Sequence, residues 1–473
     1  MSGSSKGAIT RRDVAAGLAA SLIMLDGPVL GQSPAPAETD AWQVLNAAPK
    51  QAKLHDDAQA AADLWCFNDK LPGPILRIRH GEEARLRLQN RTRSPLSLHW
   101  HGVRNVNAMD GVGGLTQAPV REGQDFEYRF TPPDIGTFLI RPLVIGASSE
   151  PTERGLSGVL IVDEADPPKI DAEYVLFVDD WRLNPNGTLA PFGDPIEAAT
   201  SGRLGNWLAV DGRAAPRQVE VAPGARIRLR LANGCNARSM RIRFDGLRAY
   251  VIAVDGQPTD SFEPLRSTLP FSPGNRYDML IEMPLEAGVK GALVALLGPG
   301  VPLVTLVTRG DPASSTRPAL PPIVAPPQNK HLPPAIRLQD ATRRDATIAG
   351  GARRDSAGQA LFDGDPARIW TINGTSGELG SKPLLSVKRG TPVVLAIRNA
   401  TPLVQPFHLH GHVFRLLHPF DDGWEPYWLD TLQIPENKTV RIAFLADNPG
   451  KWLLASTVLE RFDTGLWTWL EVL

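Results

Sequence analysis

Short runs in which apolar and charged residues alternate recur along most of the chain. Ile75-Leu-Arg-Ile-Arg-His80, Ala84-Arg-Leu-Arg-Leu88, Ala225-Arg-Ile-Arg-Leu-Arg-Leu231 and Val440-Arg-Ile-Ala-Phe444 all repeat with period two. Successive side chains of a strand point to opposite faces. The pattern therefore predicts half-buried antiparallel strands with a charged outer face, as in sandwiches. Gly81, Pro132-Pro133, Pro223-Gly224, Gly390 and Pro449-Gly450 separate the runs with turn chemistry. Helical periodicity is weak beyond Leu25.

The strands also repeat in blocks. Pro74-Ile-Leu-Arg-Ile-Arg-His-Gly81, Leu88-Gln-Asn90 and Leu96-Ser-Leu-His-Trp-His-Gly102 are echoed by Pro383-Leu-Leu-Ser-Val-Lys-Arg-Gly390, Ile397-Arg-Asn399 and Phe407-His-Leu-His-Gly411. Val221-Ala-Pro-Gly224 and Leu231-Ala-Asn233 are a fainter middle copy. A chain of 473 residues holds about three domains at roughly 150 residues each, so three stacked β-sandwiches are expected. The segment Asp311 to Pro334 is rich in Pro and Ser and nearly free of alternation, which marks an extended connector. The expected division is a leader at 1–37, sandwiches at 38–165 and 166–310, a linker at 311–350 and a third sandwich at 351–473.

The leader is an export signal by its chemistry. Arg11-Arg12 precede the apolar run Val14 to Leu25, which is too short for the ~20 residues that span a bilayer. Ala35-Pro-Ala37 is a small-residue cleavage site, with Val29-Leu-Gly31 as an alternative. Twin arginines predict Tat export of a folded protein and a periplasmic location, with no transmembrane span in the mature form.

Composition narrows the function. Lys+Arg 50 against Asp+Glu 51 gives a net charge of -1, which argues against a nucleic-acid binder. Two Cys exclude a disulfide-dense scaffold and Cys-ligated zinc or iron–sulfur centres. Cys66 and Cys235 are open to pairing in an oxidising compartment or to staying free. The chemistry falls on histidine. His99-Trp-His101 and His408-Leu-His410 each aim two imidazoles to one face of a strand, with Trp100 and Leu409 turned to the other. Occupying matching positions in repeated blocks, the two pairs can converge on one metal; four imidazoles suit copper, zinc, nickel or iron, and a nitrogen-rich tetragonal site leans to copper(II). His55, His80, His331 and His418 carry no such pattern.

These residues resemble the multicopper oxidases, the family of laccases and bacterial cuprous oxidases. The resemblance runs through Trp65-Cys-Phe-Asn68, Leu71-Pro-Gly-Pro74, His99-Trp-His-Gly102, Asp110-Gly111, Gln117-Ala-Pro119, Gly136-Thr137, Gly155-Leu-Ser-Gly158, Val254-Asp-Gly256, Gly274-Asn-Arg-Tyr-Asp278, Asn373-Gly374, Pro406 to His412, Trp428-Leu-Asp-Thr431 and Asn448-Pro-Gly-Lys-Trp452. It implies three cupredoxin-like Greek-key β-sandwich domains, all-β throughout, and copper as cofactor.

The departures from the family pattern concern its ligands. The second His-x-His motif is replaced by Arg141-Pro-Leu143, and the first His of the third motif by Gln405. Ser456 and Arg461 stand where the last motif carries its Cys and a His. The resemblance thus implies no type 1 copper, no normal type 3 pair, and a retained type 2 pair at His99 and His408. His101 and His410 are its near partners. The expected site is a single type 2-like copper ion held by His99, His101, His408 and His410. Asp110 and Arg141 stand beside it, and Arg461 is expected in an ion pair with Glu460 or Asp463.

Three functions follow. One is a copper-dependent oxidoreductase acting on a small substrate or dioxygen. Another is a copper-binding protein without turnover. The last is a non-enzymatic envelope protein with a protein partner, similar to the Tat-exported, copper-free, cell-division-associated branch of the family. Conventional laccase turnover needs the missing centres.

Overall fold

The computed structural model describes residues 42–313, 320–419 and 423–473. The expected leader lies outside them. The chain forms three β-sandwiches. The first packs the sheet of Gln43–Ala52, Ala62–Phe67, Ala84–Asn90 and Asp125–Phe130 on the sheet of Ile75–Arg79, Leu98–His101, Gly136–Pro142 and Gly158–Asp163. The second pairs a seven-stranded with a five-stranded sheet, and the third has two five-stranded sheets. Among the described residues no helix is long and apolar enough to cross a membrane.

The repeat seen in the sequence is a repeat of pairing. In each sandwich the opening strand runs parallel to a later one: Gln43–Ala52 with Ala84–Asn90, Ala172–Trp181 with Arg226–Asn233, and Thr342–Gly350 with Thr391–Asn399. In each, a second strand runs parallel to the closing one: Ile75–Arg79 with Gly158–Asp163, Arg217–Val221 with Val301–Thr308, and Leu385–Val387 with Trp467–Val472. These parallel pairs depart from the antiparallel strands that alternation predicts. Alternation reports one buried face per strand and carries no information on the partner's direction. Thr342–Gly350 also moves the start of the third sandwich into the stretch read as linker.

A second correction concerns charge. Arg226–Asn233 is buried along its whole length. Arg228 and Arg230 face the first sandwich, not water, and Arg226 meets Glu282 and the Pro321 carbonyl. Arg228 and Arg230 both donate to Asp278 Oδ2 at 2.6 Å, and Thr137 of the first sandwich donates to Asp278 Oδ1 at 2.6 Å. Burial pushes the Asp278 carboxyl up, but the two guanidiniums outweigh it and hold it below the usual carboxylate range.

The first and third sandwiches are tied by Asp463, which accepts the backbone N–H of Ser148 and of Ser149, each at 2.8 Å. Burial lifts this carboxyl to about 7 despite its donors. The folded state then keeps a proton that the unfolded chain releases near pH 4. The group's contribution is full below that value and is lost as pH rises through about 7. Asp463→Asn is expected to remove ~1.4 kcal/mol per pH unit of falling stability across this window, read from urea unfolding at a series of pH values.

Candidate metal centre

The strands Leu98–His101 and Gln405–Leu409 bring the two His-x-His pairs together between the first and third sandwiches. The alternation works as the sequence predicts. Trp100 packs edge-on against Tyr128 at 5.2 Å inside the first sandwich, and Phe407 and Leu409 enter the core of the third. Each apolar face anchors its strand, which leaves both imidazole pairs facing the interface. His99 stacks on His410 with ring centroids 3.9 Å apart, and His101 on His408 at 3.8 Å. None of the four is more than 3% exposed.

Hydrogen bonds set the tautomers. His99 Nδ1 lies 2.8 Å from the carbonyl of Asp110, and His408 Nδ1 lies 2.9 Å from the carbonyl of Asp430. A carbonyl only accepts, so each Nδ1 carries the hydrogen and each Nε2 presents a lone pair. Both Nε2 atoms are buried without a hydrogen-bond partner. His410 Nδ1 donates to Asp110 Oδ2 at 2.9 Å, which turns its Nε2 into an acceptor as well. His101 is reversed: Thr431 Oγ1 donates to Asp430 Oδ1 at 2.7 Å and so accepts from His101 Nε2 at 3.0 Å, leaving Nδ1 as the lone-pair atom.

Burial first, and the neighbouring imidazoles next, push His410 down to about 3 and His101 well below the usual histidine range. Burial also lowers His408 against the pull of Asp430. These rings are neutral at pH 7, the state that binds metal. Ligand atoms of His99, His101 and His408 lie within 4.8 Å of one another, as do those of His99, Asp110 and His410. In the second group the Asp110 carboxylate is already engaged by His410, so it serves better as an orienting acceptor than as a ligand. Burial raises Asp110, but His410 and His99 outweigh it and hold it below the usual carboxylate range. The Asp110 turn is thus part of the site.

A second layer, quoted among the motifs but given no role by sequence reasoning, supports the rings. Arg276 donates to both oxygens of Asp430, at 2.9 and 2.6 Å, with both side chains fully buried. Asp255 accepts the N–H of Thr431 at 3.2 Å and of Arg276 at 3.1 Å. Gly274, at φ +94°, lies where a Cβ would come within 2.7 Å of His101 Nε2, so only glycine fits beside that ring. Their signal was charge inside otherwise apolar strands of the middle and third blocks.

The remaining positions have other contacts. Arg141 pairs with His99 across neighbouring antiparallel strands and so shares its sheet face. It is 3% exposed, and its Nη2 has no hydrogen-bond partner. Leu143 joins an apolar cluster with Val112, Leu453 and Phe462. Arg461 makes no ion pair with Glu460 or Asp463 among the described residues, contrary to expectation. Its Nη1 donates to Gln405 Oε1 at 2.6 Å and to the Val404 carbonyl at 2.8 Å, and its Nη2 to the Thr200 carbonyl at 2.8 Å. Glu460 is engaged by Asn236 and the Arg203 N–H, and Asp463 by Ser148 and Ser149. Cys66 and Cys235 are both free and buried. His412 is buried with Nδ1 against the carbonyl of His410, while His80 and His331 are exposed.

Comparison with known proteins agrees with this geometry. Domain models described as multicopper oxidase match residues 49–167, 174–289 and 353–473. The chain is 29% identical to the multicopper oxidase MmcO of Mycobacterium tuberculosis over 82% of this chain and 79% of that one. The crystal structure of a multi-copper oxidase from Pseudomonas thermotolerans superposes with a TM-score of 0.79 at 29% identity, covering 92% of this chain and 99% of that one. Lac15 from a marine microbial metagenome superposes at 0.71 with 30% identity, covering 91% and 100%. Three matched domains in order, each laid on a repeated sandwich with paired histidines at the interface of the outer two, establish that the chain belongs to the multicopper oxidase family.

Proposed function

We propose that the protein holds a single copper ion, type 2-like, with His99 and His408 as its primary ligands and His101 and His410 flanking them. The observation that carries this reading is the pair of buried Nε2 lone pairs on His99 and His408, each fixed by a backbone carbonyl and each without a donor. Buried acceptors left unsatisfied are costly, and a cation relieves both together. Gln405, Ser456 and Arg461 occupy the positions of a type 1 site, and the Arg461–Gln405 hydrogen bond fills them with satisfied polar groups. Arg141 and Leu143 stand where the second motif supplies type 3 ligands. Copper bound here would supply one-electron redox chemistry and an open coordination position. The chain's own part is to hold four imidazoles in a fixed tautomeric pattern, through Asp110, Asp430 and Thr431, and to exclude bulk water. The reading is a copper-dependent oxidoreductase on a small substrate or dioxygen, exported by the twin-arginine route to the periplasm and distinct from a conventional laccase.

The test is the metal content and Cu(II) resonance spectrum of full-length protein matured with copper. About one copper per chain with nitrogen hyperfine structure and no intense blue absorption is expected. No bound copper would sink the reading in favour of a non-enzymatic envelope role. A blue centre or several ions per chain would overturn the single-site assignment.

A further inference from the structure

We propose that Arg141 is an anion-recognising residue, and that its guanidinium and the four-imidazole cluster together form a buried receptor for a small planar oxyanion of the carboxylate, nitrite or bicarbonate class. This deepens the copper reading by naming the kind of molecule that the same site takes.

The observation is an exception among the arginines. Arg203, Arg228, Arg230 and Arg276 are all buried, and each has a carboxylate: Glu153, Asp278 for the middle two, and Asp430. Arg154 pairs with Asp63 and Glu150, and Arg226 with Glu282. Arg461 instead donates to the carbonyls of Val404 and Thr200 and to Gln405. Arg141, equally buried, makes no ion pair among the described residues and leaves Nη2 without an acceptor. Asp179 is the acid whose field acts most on it, yet no ion pair joins the two among the described residues, and Asp179 Oδ1 instead accepts the backbone N–H of Asp180 at 2.9 Å.

On the cluster side no carboxylate pairs with it: Asp110 Oδ2 accepts from His410 Nδ1 and Asp430 pairs with Arg276. A metal dication here would add to the positive charge around it. A guanidinium fork offers paired donors that match two coplanar oxygens, and such charge-assisted pairs are strong where water is excluded. With His99, His101, His408, His410 and Arg141 all at most 3% exposed, the ligand has to be small. Its place follows from register: Arg141 is the cross-strand neighbour of His99 and leaves the same face of the sheet, and its charge acts on His101. The competing account makes Arg141 a fixed replacement for lost copper charge, indifferent to added anions.

The experiment uses full-length protein, metal-free and copper-loaded, as wild type and Arg141→Met. Formate, nitrite and bicarbonate are titrated at constant ionic strength, with chloride as control, and melting and the Cu(II) spectrum are followed. In wild type, a saturable rise in melting midpoint and a change in the copper spectrum are expected. Arg141→Met is expected to melt above anion-free wild type and to bind at least tenfold more weakly. Arg141→Lys keeps the charge without the fork and is expected to fall between them. The preferred anion names the substrate subclass. No saturable effect in wild type, or an equal effect in Arg141→Met, would overturn the proposal while leaving a copper-binding result intact. An anion effect that needs Arg141 in protein that takes up no copper would support the anion site and sink the copper reading.

Discussion

His99→Ala/His408→Ala is expected to lower copper affinity by three orders of magnitude or more, to the level of adventitious binding. The two Nε2 atoms are the lone pairs whose direction is set most rigidly, because each Nδ1 is tied to a backbone carbonyl that no side-chain substitution removes. Loss of one leaves a site short of a primary ligand, and loss of both leaves His101 Nδ1 and His410 Nε2 on separate sandwiches. The flanking residues are expected to matter less. Asp110→Asn, which weakens the acceptor for His410 Nδ1, acts through orientation, and such changes cost about 10–100-fold in metal affinity. Copper titration of the metal-free proteins against a competing chelator checks both the size and the order of the effects. Equal affinities for wild type and the double variant would place the copper elsewhere.

Asp430→Ala is expected to be the most destabilising single change near the centre. Asp430 accepts two hydrogen bonds from Arg276 and one from Thr431 Oγ1, and its Oδ1 lies 3.3 Å from His408 Nδ1. All of this is fully buried. Burial raises the carboxyl, but Arg276 and then His408 outweigh it and hold it below the usual range, so it is ionised at neutral pH. Removing it breaks the bidentate pair and leaves Arg276 only Asp255, at 3.8 Å, as a carboxylate, and breaking a buried pair typically costs about 3–5 kcal/mol. Its contribution is full above the unfolded carboxylate value near pH 4 and is lost only as pH falls below that. The deficit of Asp430→Ala should therefore be constant from about pH 5 to 8 in urea unfolding. Arg276→Met added to Asp430→Ala should recover part of it, since the guanidinium deprived of Asp430 is then gone. Additive losses in the double variant would mean that the two residues act separately.

How far the site was legible can be followed residue by residue. His99, His101, His408 and His410 could be read because strand periodicity is local: two residues apart means one face. The repeat of blocks then put the pairs at equivalent places in two sandwiches. Arg141 and Gln405 were legible as departures only once the family motifs were in view. The sequence points Arg461 to an ion pair because its neighbours carry the acids, whereas its partners Thr200, Val404 and Gln405 come from distant segments. The burial of Arg228 and Arg230 is hidden in the same way, since a strand whose charged face meets another domain has the same alternation as one that meets water.

Local order along the chain determined the strands, their turns, the number of sandwiches and the pairing of imidazoles within each His-x-His. These depend on side-chain direction and backbone preference over two to ten residues, and the residue types state them directly. Tertiary structure alone decided which nitrogen of each ring faces the centre, which acids stay charged and which arginine lacks a partner. The contacts responsible join His410 to Asp110 across 300 residues and His101 to Thr431 across 330. Hydrogen-bond partners and burial at that separation are properties of packed surfaces, and packing is where a neutral, oriented imidazole and an unpaired guanidinium acquire their chemistry.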